Sequence, residues 1–391
     1  MIFIEKATIE QEKYLDVHKN RVVPSLFEIL ISPESMQLFK FWQPDPQIIN
    51  LCLNKATQHN VHFGKKHGAQ GLHVDAICTQ KQPHNMFYII SPACYWGMPI
   101  KQRVVLRSNC NLILSDNFEG SMVCGVSWLE ETITKTDYDF YILTNNHEAV
   151  CKNKHIKFIY SDAVLAGVVS YHRRSEKPTV DFTVPPTEKV IFPIGHPYPA
   201  KLDILAEFYT NSMLDDINWS LCWAGKPYKN HNGGHKHLGT YLYQSNNPVI
   251  DAMVKSLELP KVLDNEQDHD TILLPDNFIR KYQWHIAEAF SYSEQFDITI
   301  IDEKVVKGFF AGIQTCLIAP DNLLLFLEKL GFQMEPNLIG LSRQQKIAKA
   351  IKHCMSTPSN DEKVKHNLEL VCDNNFLVDL MINDLVSQLG D

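Results

Sequence analysis

The chain has 391 residues, 45% of them hydrophobic and 21% charged, with a formal net charge of -8 at pH 7. That length points to roughly two or three domains, and the apolar fraction is enough to build packed cores. The acidic balance, with no basic stripe, speaks against a nucleic-acid-binding body, because neutralising phosphates needs clustered Lys and Arg.

The first residues, Met1-Ile2-Phe3-Ile4-Glu5-Lys6, lack the apolar core of a secretory signal. No window approaches the roughly 18 apolar residues of a membrane helix. A cytoplasmic protein without a membrane span is expected, with export by a signal-independent route as the alternative. Ten cysteines are spread without a CxxC pair, which suits buried reduced thiols better than a disulfide framework or zinc knuckle.

In chain order, residues 11–30 carry apolar residues near helical spacing, broken by Pro24, and residues 35–42 read as a short helix ahead of Pro44 and Pro46. Residues 60–80 turn to His, Gly and Lys and suggest loops, and residues 86–91 followed by 93–97 read as a strand entering a turn. From Val104 the pattern is of short strands: 104–106, 111–114, 121–128, 140–144, 155–160, 164–171 and 180–184, with turns at 115–117 and 173–178. Further strands are predicted at 191–194, 203–209 and 239–244. Such spacing points to an all-β barrel or sandwich.

After residue 255 the signal is helical. Residues 321–330 are apolar on one face and stop at Gly331, a suitable glycine just past a helix end. Ser342 and Gln345 form a capping box, opening a helix through Ile347, Ala350 and Ile351 to Cys354. Residues 356–362 are a polar connection, and 364–371 and 376–389 give further amphipathic helices. No internal repeat or low-complexity tract is present.

One stretch concentrates the chemistry. In Tyr141-Ile142-Leu143-Thr144-Asn145-Asn146-His147, an apolar strand ends on turn residues and delivers a histidine. An imidazole held by backbone on both sides suits a general base, whose proton transfer needs fixed geometry. With Gly120-Ser121-Met122-Val123-Cys124-Gly125 before it, Val180-Asp181-Phe182-Thr183-Val184 after it, and the turn Phe192-Pro193-Ile194-Gly195-His196-Pro197-Tyr198-Pro199 beyond, the sequence resembles trypsin-like serine proteases, most of all the HtrA-like group. The matches cover residues 100–240.

The resemblance implies a chymotrypsin-like double β-barrel and an endopeptidase, with His147 as general base and Asp181 as the buried carboxylate that orients it. The nucleophile departs from the pattern. Where the family carries Gly-Asn-Ser-Gly-Gly or Gly-Asp-Ser-Gly-Gly, this chain has Asn230-His231-Asn232-Gly233-Gly234-His235, so the aligned residue is Asn232. Ser245 in a shifted loop and Cys222 are the other candidates within that domain. Cys94, followed by Tyr95 and Trp96, gives a rival reading as a cysteine hydrolase or transglutaminase-like enzyme using the same histidine.

His231, His235 and His237 lie around Gly233-Gly234 and read as a surface loop, so no metal or cofactor is expected. The expected architecture is multi-domain α+β. It comprises a mixed N-terminal region (1–100), the central double β-barrel (101–255) and a C-terminal helical bundle (256–391), which looks like a small death-like adaptor domain. The expected function is peptide-bond hydrolysis on a peptide or protein substrate. The alternative is an inactive protease-fold binding or adaptor protein that engages a protein partner through its helices.

Overall fold

The computed structural model describes residues 46–65, 72–73, 86–90, 100–116, 139–144, 153–161, 180–194, 199–221, 247–257, 279–290 and 303–389. Helix α1 (Pro46–Gln58) opens on a proline, where the missing N–H costs nothing. It buries Ile48, Cys52 and Ala56, four residues apart and so on one face. It ends where Asn60 takes a left-handed φ of 57°, a conformation that asparagine tolerates.

Strands β1 (Val61–Lys65), β2 (Leu72–His73) and β3 (Phe87–Ile90) follow, then helix α2 (Ile100–Asn109), β4 (Asn111–Asp116), β5 (Phe140–Thr144) and β6 (Ile156–Tyr160). Next come β7 (Glu188–Phe192), α3 (Pro199–Thr210), β8 (Asn218–Trp219), α4 (Pro248–Ser256) and β9 (Tyr282–Glu288). Helix α5 (Glu303–Phe310), β10 (Gln314–Ile318), α6 (Asp321–Lys329), α7 (Arg343–Ser356) and α8 (Asp361–Cys372) complete the second half. The chain closes with α9 (Asn374–Val378), a π-helical turn (Asp379–Asn383) and α10 (Asp384–Leu389).

The chain divides into two compact units. Unit 1 comprises Met1–Arg174, Phe296–Ile300 and Asp373–Asp391; unit 2 comprises Ser175–Gln295 and Ile301–Cys372. Unit 1 holds a six-stranded sheet in the order β2-β1-β3-β4-β5-β6, and unit 2 a four-stranded sheet in the order β10-β9-β7-β8. Every strand pair is parallel.

Parallel pairs need a crossover and bury both faces of the sheet, which explains why β10 is buried at every position and β9 at six of its seven. In both units the second strand lies outside the first and the third returns to its other side. This is the doubly wound pattern, with a topological switch point between β1 and β3 and another between β7 and β9.

Two contacts finish the packing. The edge strand β6 is covered by Gln388 of α10, whose Oε1 accepts from Tyr160 N (2.8 Å) and whose Nε2 donates to Tyr160 O (2.7 Å). A side-chain amide thus stands in for a neighbouring strand and blunts an exposed edge. In unit 2, Gly308 lets α5 lie close on the sheet: a Cβ there would sit 2.1 Å from Thr315 Oγ1 and 2.7 Å from His285 Nδ1.

The double β-barrel is therefore corrected to two parallel α/β sheets. Of the predicted strands, 111–114, 140–144 and 155–160 correspond to β4, β5 and β6, and 191–194 overlaps the end of β7. Residues 104–106 and 203–209 instead lie in helices α2 and α3, and 180–184 is a turn. Strands β9 and β10, the first central and the second at the sheet edge, lie in the stretch read as helical, and β1 and β2 in the stretch read as loops. The predicted helices at 11–30 and 35–42, and the strands at 121–128, 164–171 and 239–244, lie outside the described residues.

Replacing Gly308 by Ala should overpack the α5–sheet contact and lower stability by about 1–3 kcal/mol. A denaturation midpoint of the Gly308→Ala chain equal to that of wild type would show that this helix has room to move off the sheet.

Candidate functional site

In a doubly wound sheet the loops at the carboxyl ends of the strands diverge at the switch point, and the crevice between them is where ligands bind. In unit 2 that crevice lies beyond Phe192 of β7 and Glu288 of β9. The segment 192–199, read from sequence as a barrel turn, is here the connection from β7 into α3, of which 195–198 lie outside the described residues. Its first part is held by Ser220, just past β8: the Ile194 N–H donates to Ser220 Oγ at 3.0 Å. Ser220 is fully buried, as is Ile194.

On the other side, β9 ends at the buried Glu288, and Ala289 N–H donates to Ile318 O at 3.1 Å. Phe290 follows. Its ring is flanked by two cations from the first turn of α7, the Arg343 guanidinium and the Lys346 Nζ, each 5.8 Å from the centroid. Lys346 is 2% exposed; its Nζ donates to Ala319 O at 2.8 Å, just past β10, and pairs with Asp321 in the first turn of α6.

Arg343 pairs with Asp203 of α3. A further lysine, Lys201 in the first turn of α3, is also buried. The rim thus gathers Lys201, Arg343 and Lys346 with the carboxylates Asp203, Glu288 and Asp321 around the ends of β7, β9 and β10.

The local sequence explains the placement of the cations. Ser342 caps α7 in the capping box seen in the sequence, with its hydroxyl accepting from Gln345 N and Gln345 returning to Ser342 N at 3.0 Å. That box fixes Arg343 and Lys346 in the first helical turn, facing β10 and α3. The pair beside Asp321, reinforced by the Gly340 N–H at 3.1 Å, holds its carboxyl below the usual carboxylate range, the Lys346 hydrogen bond being the largest cause.

The sequence-predicted residues are placed as follows. Asp181 is exposed and sits in a turn, where its Oδ1 accepts from Thr183 N (2.9 Å) and Thr183 Oγ1 (2.7 Å). Those bonds hold its carboxyl below the ordinary range. The next residue, Phe182, stacks on the Arg280 guanidinium at 4.7 Å, and Arg280 makes a two-pronged pair with Asp361 at 2.8 and 2.9 Å just before β9 begins. Asp181 therefore stands at the amino ends of the strands, opposite the carboxyl-end rim, and is solvated rather than buried.

His147, Cys94, Cys222, Asn232, Gly233, Gly234 and Ser245 lie outside the described residues. His147 comes three residues after β5, and Cys94 four residues after β3. Sequence reasoning missed the unit 2 rim, although one signal was available: two cations in the first turn of a helix with no acid there, against the usual preference of a helix N-terminus for anions.

Among the described residues there is no cluster of three His, Cys, Asp or Glu able to hold a metal and no helix long and apolar enough to cross a membrane. No family model, curated protein or solved structure matches the chain.

The Lys346–Asp321 pair has a pH signature. A depressed carboxylate contributes stability that is present above its unfolded value of about 3.9 and is lost as pH falls through the lower folded value. The chain with Lys346→Met should therefore lose less stability than wild type between pH 4.5 and pH 2.5, a window set by roughly that unfolded value. Equal slopes in urea titrations of the two proteins would remove the pair from this role.

Proposed function

We propose that the chain is a group-transfer enzyme that takes a nucleotide-activated donor, most simply a nucleotide-linked sugar, at the unit 2 rim. The observation that carries this reading is the pair of doubly wound parallel units in one chain, each with its own switch point. One such rim suits one nucleotide-bearing ligand. This is an inference from architecture, since the same fold serves many chemistries.

Sequence narrows the choice. The chain contains neither a Gly-x-Gly-x-x-Gly dinucleotide fingerprint nor a phosphate-binding loop of the Gly-x-x-x-x-Gly-Lys type. That weighs against nicotinamide oxidoreductases and P-loop phosphotransfer. A donor whose diphosphate is bound by side chains needs a cation at the rim; Arg343 lies there, and the buried Lys346 adds its charge from behind. In the transfer an acceptor hydroxyl attacks the activated carbon, the bond to the diphosphate oxygen breaks, that oxygen leaves with the electron pair, and the hydroxyl's proton passes to the released diphosphate. Cations beside the leaving diphosphate stabilise its developing charge.

The test is direct. The full chain is titrated with nucleoside diphosphates by calorimetry, then incubated with a panel of nucleotide-linked sugars while released nucleoside diphosphate is measured. Saturable binding of at least one diphosphate, with release from its sugar conjugate, is expected. A panel giving neither binding nor release overturns the proposal.

A second reading keeps hydrolysis. Among the described residues the strands form parallel sheets in place of the double barrel that carried the serine-protease expectation, so the trypsin-like mechanism loses its scaffold. A thiol mechanism does not need that scaffold. Cys94 and His147 follow the carboxyl ends of β3 and β5, which flank β4 in the same sheet, roughly 10 Å apart between strand axes.

Cys52, Cys316 and Cys354 are buried, and burial pushes the Cys52 thiol up to about 12, whereas Cys110 and Cys372 are half-buried, so the modified cysteine is identified by peptide mapping. If this reading holds, iodoacetamide at neutral pH modifies Cys94 rapidly in wild type and at least tenfold more slowly in His147→Ala, the order expected when a thiolate loses its base. Equal rates rule the dyad out, and a peptidase-inactive chain that binds protein partners would then be the remaining hydrolase-like reading.

A further inference from the structure

We infer that the outer edge of β6 is a docking surface for β6 of a second copy of this chain, and that Gln388 of α10 holds that edge closed in the single chain.

Backbone direction defines the edge. Along a strand the N–H and C=O groups of alternate residues point to the same side, and β6 gives its other side to β5. Tyr160 turns both of its groups to the Gln388 amide, so Ile156 and Phe158 face the same way. The Ile156 N–H, which donates to Asn153 O at 3.1 Å, agrees with that direction. The edge is thus occupied at its two ends, by a turn at Ile156 and by one side-chain amide at Tyr160. Phe158 lies between them, and both it and Tyr160 are half-buried. Among the described residues β6 is the last strand of its sheet.

The sequence of β6 fits itself. Ile156-Lys157-Phe158-Ile159-Tyr160 is rich in β-branched and aromatic residues and has an aromatic ring at its centre. Laid antiparallel on a second copy about a two-fold axis through Phe158, it sets Phe158 opposite Phe158, Ile156 opposite Tyr160 and Lys157 opposite Ile159. Aromatic and aromatic–aliphatic pairs are favourable cross-strand neighbours, and the one charge does not meet its like. An axis moved to Lys157 would oppose two ammonium groups instead, so the register is set. Such a contact is self-complementary, as a two-fold dimer requires.

The grip of α10 on this edge is local. Leu385 is its buried residue, and the Gln388 Nε2 that reaches Tyr160 O is shared with Asp384 O at 3.0 Å. The π-helical turn Asp379–Asn383 separates α10 from α9, where Phe376 and Leu377 are buried. The anchor of this C-terminal segment is therefore distinct from its hold on β6. An intramolecular contact of this kind competes with a second copy at an effective concentration on the order of millimolar, which keeps the wild-type chain monomeric well below that.

The test is the mass of the full chain by sedimentation equilibrium across the micromolar range. Gln388→Glu replaces the donor to Tyr160 O with an acceptor and adds a carboxylate beside Asp384. It should convert a monomer into a monomer–dimer equilibrium about tenfold tighter than that of wild type, the loss of the two hydrogen bonds that block the edge. Adding Phe158→Lys, which opposes two ammonium groups on the axis, should return the protein to monomer. Near-UV circular dichroism checks folding, and Gln388→Met, which also lacks the donor, replaces Gln388→Glu if that variant does not fold.

A folded Gln388 variant that stays monomeric overturns the inference, whether or not its edge takes up an extended peptide. So does a wild-type dimer of equal affinity, or a dimer that survives Phe158→Lys and must use another surface. Open-ended oligomers remove the two-fold geometry and overturn it as well. Failure of both Gln388 variants to fold makes α10 part of the core and overturns the idea that it merely covers an edge.

Discussion

The parallel pairing of β9 with β7 on one side and β10 on the other is the constraint on which unit 2 depends. Parallel neighbours cannot be joined by a hairpin, so each connection must climb from the carboxyl end of one strand to the amino end of the next, and helices are the compact way to do so. That single requirement covers both faces of the sheet, which is why Ile286 and Cys316 on one face and Ala287 and Leu317 on the other are all sealed from solvent. It also sends every strand's carboxyl end to one rim and every amino end to the other. Asp181 and Arg343, both charged and both near aromatic rings, are thereby sorted to opposite ends of the same sheet.

The charged groups of unit 2 follow that sorting. At the amino end, Arg280 takes a left-handed φ of 53° so that its side chain can reach Asp361 and Phe182. A guanidinium at 5% exposure is tolerable only because both prongs are bonded, since removing either partner of a buried pair strands the other. At the carboxyl end Lys346 is buried against Ala319 O and Asp321, and the Arg343–Asp203 pair is part-exposed.

Local signals in the sequence were read correctly wherever local chemistry decides the structure. The capping box at Ser342 and Gln345 formed as read, and Gly331 ends α6 at a φ of 93°. Phe140–Thr144 is a strand. Strand direction is not a local property: a short apolar run such as Tyr141-Ile142-Leu143 looks the same in a barrel and in a parallel sheet. The segment of α3, Asp203-Ile204-Leu205-Ala206-Glu207-Phe208-Tyr209, was taken for a strand because it is apolar nearly throughout, and it is so because the helix is buried on most sides. For β9 and β10 the error ran the other way, since strands buried on both faces lack the alternation that marks a half-exposed strand.

The candidate site was legible in part, and for a physical reason. The turn at 192–199 stands out in the sequence because three prolines and a glycine cluster there, and such a cluster marks any strand that must release its chain into a sharply redirected connection. In a barrel it would open a second sheet; in a doubly wound unit it opens the crossover beside the switch point, and the residues across the crevice then come from far along the chain. Arg343 is 140 residues beyond Asp203, and no spacing rule joins them. What does join them is the requirement that a helix N-terminus carrying two cations and no acid find its negative charge elsewhere. The sequence states the deficit at residues 343–346, and the fold decides that Asp203 and Asp321 meet it.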